Sequence, residues 1–238
     1  MEQGKKTSAY GLTRPQEREA SRFFGRHVSG AKALCVGLAS VMCCLLPMLL
    51  GLRLWERIQE LVQTGLIGPE GKDDSMPRAV LVFGVPGLFA LLDVICQGQL
   101  WLHQKRETIP PPPIRLIGRW GMAIAATLLC PFWLPRAAGE PVTAQAYLPC
   151  LLALLLLLSG AQFFDCPRGA RFGFRFARIA YDEEAWRKTH RAASLGWMLA
   201  GLLLLALHYG LGQIPPITAL PLLLLLLIPL PASLLYAR

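Results

Sequence analysis

Six long apolar stretches constrain this chain of 238 residues more than any other feature. Crossing a hydrocarbon core of about 30 Å takes about 20 mostly apolar residues in a helix, and each stretch is close to that length. Inside lipid a helix satisfies its own backbone groups, and runs such as 151–158 lack the alternation of a transmembrane β-barrel. We therefore predict an all-α, polytopic membrane protein built as a bundle of six transmembrane helices. The predicted spans are Leu34–Leu54, Ala79–Leu102, Leu116–Leu134, Ala146–Phe164, Ala192–Leu211 and Pro216–Leu235.

Composition and the order of the spans suggest three parts. Only 16% of the residues are charged, against roughly 25% in a soluble domain, so no separate soluble domain is expected. We predict a basic cytoplasmic tail at 1–33 and an amino-terminal membrane part at 34–134, with an exported loop at 55–78. A carboxyl-terminal membrane part at 135–238 contains a cytoplasmic loop at 165–191.

The placement of positive charge predicts the orientation. Of the 24 lysines and arginines, 19 lie before span one, between spans two and three, between spans four and five, or at the carboxyl terminus. Short loops rich in lysine and arginine stay in the cytoplasm, so both termini are expected there. We attribute the net charge of +9 to this topology and to contact with the lipid bilayer. Nucleic-acid binding is not expected, because no recognition motif accompanies the charge.

Cysteine usage and motif content argue against a metal, a cofactor or catalysis. The seven cysteines lie within or beside spans rather than in exported loops, so we expect reduced thiols. No Cys/His spacing indicates a metal site, and no phosphate-binding loop or paired intramembrane carboxylates occur. Thr189 and His190 are adjacent, so on a helix their side chains diverge by about 100° and form a poor nucleophile–base pair. We predict a protein that is not an enzyme.

Asp93 is the only carboxylate in the interior of a predicted span. A charged group there is costly, so it should face other helices and find a partner or be protonated. Gln97 follows one turn later, span four offers Ser159 and Gln162 at comparable depth, and Arg119 lies near the inner edge of span three. Two interpretations stay open: a hydrogen-bonded pin that fixes helix packing, or a site that responds to protons or ions.

Two polar connections carry local signals. In the exported loop, Leu54, Ile58, Leu61 and Val62 recur at helical spacing and predict a short interfacial helix that continues from span one, with a turn at 72–75. In the cytoplasmic loop, Asp182 is placed as a helix N-cap, with acidic residues in the first turn. Trp186 then falls one turn before His190, on one face. This short juxtamembrane helix should lie along the membrane surface or run directly into span five.

The same loop resembles the signature of the SdpI-like bacterial membrane proteins. The matching positions are Gly173, Arg175, Trp186, Thr189, His190 and Arg191. The amino-terminal half is similar to the domain that often precedes this signature, through Leu46-Pro47, Gly71-x-Asp73 and Phe83-Gly84-x-Pro86. The resemblance covers about residues 34–211. The chain departs from the usual signature at Gly169, Phe176, Ala177 and Ile179.

The resemblance implies a non-enzymatic immunity or signalling protein. Such a protein protects against a membrane-active peptide toxin, or senses it, and holds a cytoplasmic repressor at the membrane. The six signature residues would then support the bundle or bind that partner. The alternative from a different class is a small proton-coupled transporter or permease, with Asp93 and Gln97 lining its path. The sequence leaves the oligomeric state open.

Overall fold

The computed structural model describes residues 30–67, 73–105, 112–164, 166, 174, 182–212 and 227–236. Within them, seven α-helices, two β-strands and one π-helical turn follow one another along the chain. They are α1 (Gly30–Leu45), α2 (Pro47–Arg53), β1 (Leu61–Ile67), β2 (Asp73–Pro77), the π-helical turn Val80–Gly84, α3 (Val85–Lys105), α4 (Pro112–Ala137), α5 (Ala144–Phe163), α6 (Glu183–Leu211) and α7 (Pro229–Tyr236).

Within the described residues, five helical segments are long and apolar enough to cross a membrane. They are Gly30–Arg53, Val80–His103, Pro113–Ala137, Ala146–Phe163 and Glu183–Leu211. Large apolar side chains such as Leu148 and Leu155 point outward from them and are more than 60% exposed, as expected of a surface that faces lipid. The first five predicted spans are thus confirmed as helices. The sixth, 216–235, lies mostly outside the described residues, which include only α7 from that region.

The most extensive helix pair is α5 with α6. Two glycines allow their backbones to approach closely, as small residues commonly do between membrane helices. A Cβ added at Gly201 would lie 2.9 Å from the carbonyl oxygen of Ala153, and one at Gly160 would lie 2.9 Å from that of Ser194. The Ser194 hydroxyl also donates to the carbonyl oxygen of Gly160 over 2.6 Å. Small residues and the Ser194–Gly160 hydrogen bond therefore hold this part of the pair together.

Helices α1, α3 and α4 pack on one another and are joined to the α5–α6 pair by polar contacts. The buried Tyr209 hydroxyl of α6 donates to the carbonyl oxygen of Thr127 in α4 over 3.1 Å and lies 3.4 Å from the Cys150 thiol of α5. Arg53, at the end of α2, donates to the carbonyl oxygen of His208 over 3.1 Å. A cation at a helix carboxyl terminus is stabilising, so Arg53 anchors the last turn of α6.

The connection after α2 differs from its prediction. No interfacial helix forms at 54–62: a turn follows α2, and β1 pairs with β2 as an antiparallel hairpin. Asp73 and Ser75, predicted in a turn, pair with Ile67 and Gln63. The apolar spacing that suggested a helix has another cause, since Ile58 is buried in the turn while Val62 pairs with Met76 across the hairpin. The fold is therefore mainly, but not wholly, α-helical.

Helix α6 begins where the sequence predicts. The Asp182 carboxylate accepts hydrogen bonds from the backbone N–H groups of Glu184 and Ala185, at 2.8 and 3.1 Å. From there one unbroken helix of 29 residues reaches Leu211. The predicted juxtamembrane helix is thus not a separate element. It runs directly into span five, which is one of the two placements that the sequence predicts. We call the end of the bundle where α1 and α6 begin the His190 end, and the opposite end, with β1 and β2, the hairpin end.

Candidate functional site

Aromatic side chains gather around His190 at the start of α6. The imidazole stacks on the Trp186 ring, one turn earlier, with centroids 4.1 Å apart. Both side chains are almost fully buried. Phe163 at the end of α5, Trp197 of α6 and the described residue Phe174 complete the group. We call these five residues the His190 cluster.

The hydrogen bonds of His190 determine its protonation. Its Nε2 atom accepts from the backbone N–H of Phe174 over 3.0 Å, so Nε2 carries no hydrogen. Its Nδ1 atom lies 2.9 Å from the carbonyl oxygen of Trp186, which can only accept. Because a neutral imidazole has one donor and one acceptor nitrogen, this arrangement requires the neutral ring with its hydrogen on Nδ1. His190 thus links the chain at Phe174 to the backbone of α6.

Three aromatic contacts hold Phe174 in place beside this hydrogen bond. Its ring lies 5.0 Å from Phe163, 5.6 Å from His190 and 5.6 Å from Trp197, edge to face. Phe163 and Trp197 are themselves 5.2 Å apart in an edge-to-face pair. Ring pairs at 4.5–7 Å contribute about 0.5–1.5 kcal/mol each beyond burial. The cluster therefore fastens one point of the 165–181 connection to α5 and α6.

A second fastening point lies at Cys166. The Trp186 indole N–H donates to the carbonyl oxygen of Cys166 over 3.0 Å. Burial raises the pKa of the Cys166 thiol to about 11, against the smaller opposing effect of Lys32 in α1. At neutral pH the thiol is therefore protonated and unreactive, since the thiolate is the nucleophile. Trp186 and His190 together hold the connection at two residues, eight apart.

Exposed cations border the cluster. The Arg191 guanidinium lies 5.1 Å from the centroid of the buried Phe164 ring. Lys188 forms an ion pair with Glu184 over 2.7 Å, both side chains being solvent-exposed. Arg187 is exposed as well. This rim leaves two arginines, Arg187 and Arg191, on the outer surface of α6.

The predicted signature residues do not all meet in the described structure. Trp186 and His190 are in contact, and Arg191 lies on the rim. Thr189 is fully buried, on a face about 100° from His190, and its hydroxyl has no hydrogen-bond partner among the described residues. Gly173 and Arg175 lie outside the described residues, although Phe174 between them is in place. The structure adds Phe174, Phe163 and Trp197, which the sequence reasoning did not select.

The intramembrane polar residues form a separate group inside the bundle. Asp93 is fully buried in α3, and its Oδ1 accepts from the Ser40 hydroxyl of α1 over 2.9 Å. Gln97 interacts with the carboxyl group and donates to the carbonyl oxygen of Arg119 over 2.8 Å. The hydrogen-bond partner from another helix is thus Ser40, not Ser159 or Gln162 of α5. Arg119 takes part through its backbone.

Comparison with known protein families gave a match over one segment of the chain. Residues 165–233 match the model of the SdpI/YfhL protein family. The resemblance seen in the sequence is thereby confirmed for this SdpI/YfhL segment, which holds every residue of the His190 cluster except Phe163. Searches of curated proteins and of solved structures each gave no match. The chain thus combines five described helices that are long and apolar enough to cross a membrane with a segment that is similar to the SdpI/YfhL family.

The hydrogen bond to Phe174 should depend on pH. Protonation of the imidazole would place a second hydrogen on Nε2 and remove the acceptor for the Phe174 N–H. We expect the Phe174 amide to be protected from hydrogen exchange at pH 8 and to lose protection as the pH is lowered through 5, after correction for the intrinsic exchange rate. Exchange followed by mass spectrometry on the protein in detergent measures this.

A matched control for this experiment is His190→Gln. The glutamine side-chain oxygen can accept the same hydrogen bond and does not titrate, so protection should be similar at both pH values in this variant. An unprotected wild-type amide at pH 8, or an equal loss of protection in His190→Gln as the pH falls, would contradict the accepting role of Nε2.

Proposed function

We propose that this protein is a non-enzymatic SdpI/YfhL-type protein of the bacterial inner membrane, with both termini in the cytoplasm. In this proposal it protects its cell against a membrane-active peptide, or senses one. The proposal rests on one observation, the hydrogen bonding of Trp186 and His190 within the SdpI/YfhL segment. Every polar side-chain atom of these two residues is bound to a backbone group. A general acid or base must reach its substrate, whereas these side chains serve to hold structure.

The hairpin end is the proposed contact region for the peptide. Leu61 of β1 is 60% exposed and Val80 is 47% exposed, next to the outer ends of the long helices. Trp55 is held there by Arg78, whose guanidinium carbon lies 4.4 Å from the ring centroid. The turn that precedes the hairpin is also linked to the loop after α4 by an ion pair between Arg57 and Glu140. An apolar peptide could bury its side chains against these exposed residues.

The His190 end is the proposed platform for a cytoplasmic repressor. Arg187 and Arg191 are exposed there, and the sequence of the 165–181 connection adds four more arginines, Arg168, Arg171, Arg175 and Arg178. An acidic surface on a partner would be attracted to such a patch. In this proposal the His190 cluster holds Phe174, within this connection, against α5 and α6.

A survival assay tests the immunity proposal. The protein is expressed in a bacterial strain sensitive to a secreted killing peptide, and the strain is challenged with that peptide. We expect wild-type protein to raise survival at least tenfold, and a His190→Ala, Arg191→Ala double variant to lose most of that gain. Leu195→Ala is the matched control, because Leu195 is an exposed residue of the same helix outside the signature.

The comparison is made at equal membrane abundance. Equal survival of the double variant and wild type would remove the signature from the mechanism. No protection by wild-type protein against any of a panel of membrane-active peptides would refute the immunity proposal itself.

A proton-coupled transporter is the second candidate, favoured by the burial of Asp93 in the middle of a span. It predicts that vesicles containing the protein conduct protons and that Asp93→Asn abolishes the conduction. A pH-sensitive dye trapped inside the vesicles measures it. Vesicles with the protein that leak no faster than empty ones would refute this candidate.

A further inference from the structure

Three oxygen atoms from three helices meet at Ser40. Its hydroxyl oxygen lies 2.9 Å from Oδ1 of Asp93 in α3 and 2.8 Å from the backbone carbonyl oxygen of Arg119 in α4. Both distances are typical of O–H···O hydrogen bonds. Each close pair of oxygens therefore needs one hydrogen between its atoms.

Counting hydrogens identifies the missing donor. A serine hydroxyl has one hydrogen to donate and can also accept, and a backbone carbonyl can only accept. An ionised aspartate also only accepts, so with ionised Asp93 the two close pairs would share the single hydrogen of Ser40. A protonated carboxyl group brings a second hydrogen. It can then donate to Ser40, whose own hydrogen goes to Arg119.

The second carboxyl oxygen of Asp93 also indicates that the group is protonated. Oδ2 of Asp93 is buried and has no hydrogen-bond partner among the described residues. A charged oxygen in that position would keep the large desolvation cost of a buried carboxylate, in the middle of a helix that is long and apolar enough to cross a membrane. A neutral carboxyl group avoids most of that cost, because its unprotonated oxygen is a weaker acceptor.

Among the described residues, no ion pair joins Asp93 to a cation. On α1 the titratable groups that interact with Asp93 are the buried thiols of Cys43 and Cys44, and a thiolate at either would repel a carboxylate. On α4, Arg119 approaches Ser40 through its carbonyl oxygen. On α3 itself, the neutral Gln97 interacts with the carboxyl group and donates to the same carbonyl oxygen of Arg119.

We infer that Asp93 is an intramembrane proton-binding site, with the proton held on Oδ1 and donated to Ser40. The chain of hydrogen bonds then runs from Asp93 to Ser40 to the carbonyl oxygen of Arg119 and joins α3, α1 and α4. When the proton leaves, Ser40 has to donate to the carboxylate, and its bond to α4 is lost. Occupation of the site therefore controls how three helices are connected. The inference needs no path for protons across the membrane and is independent of both functions proposed above.

Infrared difference spectroscopy of the wild-type protein in lipid tests the inference. At pH 7 we expect the carbonyl stretch of one protonated carboxyl group, shifted in D₂O and lost as the pH is raised. Asp93→Asn should remove the band. Ser40→Ala should keep it and move it to higher frequency, because the carboxyl group loses its hydrogen-bond acceptor.

A chemical measurement covers the case in which these variants fail to fold. Dicyclohexylcarbodiimide attacks protonated carboxyl groups in apolar surroundings, so at pH 7 it should label Asp93 of the wild-type protein at least tenfold faster than Glu56 or Glu60, as located by peptide mass. The labelling of Asp93 should fall as the pH rises. A wild-type spectrum with carboxylate bands only, or no preferential labelling of Asp93, would overturn the proton site, whether or not the protein confers immunity or conducts protons.

Discussion

Replacing Gly201 with valine is expected to lower the free energy of unfolding by about 3 kcal/mol. Even a Cβ at this position would lie 2.8 Å from Cγ of Leu157 and 2.9 Å from the carbonyl oxygen of Ala153. The first contact could be relieved by a side-chain movement, but the second involves the backbone of α5. The helices would have to separate, and overpacking of this kind costs about 1–3 kcal/mol, occasionally more.

The control is Gly210→Val in the same helix. No described residue lies within 4 Å of a Cβ at Gly210, so this change should leave stability within about 1 kcal/mol of wild type. Unfolding in mixed detergent micelles, followed by circular dichroism, compares the two. Similar stabilities of the Gly201 and Gly210 variants would mean that α5 and α6 do not pack as described.

Replacing Trp186 with alanine is expected to remove about 3 kcal/mol of stability, in the range found for large aromatic residues in a core. It would delete the stack on His190 and the hydrogen bond to the Cys166 carbonyl oxygen. The Cys166 thiol should then become accessible and easier to ionise. Because its pKa is about 11 in the folded protein, only about one thiol in a thousand is ionised there at pH 8.

Maleimide labelling at pH 8, with Cys166 identified by peptide mass, measures that exposure. We expect the labelling of Cys166 to rise at least tenfold in Trp186→Ala. Trp186→Phe is the matched control, since it keeps an aromatic ring and loses only the hydrogen bond, which is worth about 1 kcal/mol. Equal labelling in the alanine variant and wild type would show that Trp186 does not cover the thiol.

Local features of the fold could be read directly from the sequence. The N-cap at Asp182 and the one-turn spacing of Trp186 and His190 both depend on neighbours within five residues, and both are present in the structure. The five long helices follow from apolar length alone. The hairpin was missed because apolar residues at helical spacing between 54 and 62 also suit a turn followed by a strand. What decides between them is the pairing of β1 with β2, which only the folded chain supplies.

Contacts between distant residues were beyond sequence reasoning. Ser40 is 53 residues from Asp93, and nothing about a serine in an apolar run identifies which helix it will face. Phe174 lies 16 residues from His190, in a segment where aromatic and basic residues alternate, and the pattern did not distinguish it from its neighbours. Trp197 had a usable signal, since it lies seven residues, or two turns, after His190 on the same helix face.

The uninterrupted length of α6 has a mechanical consequence. Its 29 residues span about 43 Å at 1.5 Å per residue, which exceeds the thickness of a hydrocarbon core of about 30 Å. One stiff rod thus extends from the ring stack at His190 to the last turn that Arg53 anchors. A displacement of that anchored turn would tilt the rod as a lever and shift the opposite tip, with the arginines it carries, without any relay through intervening side chains.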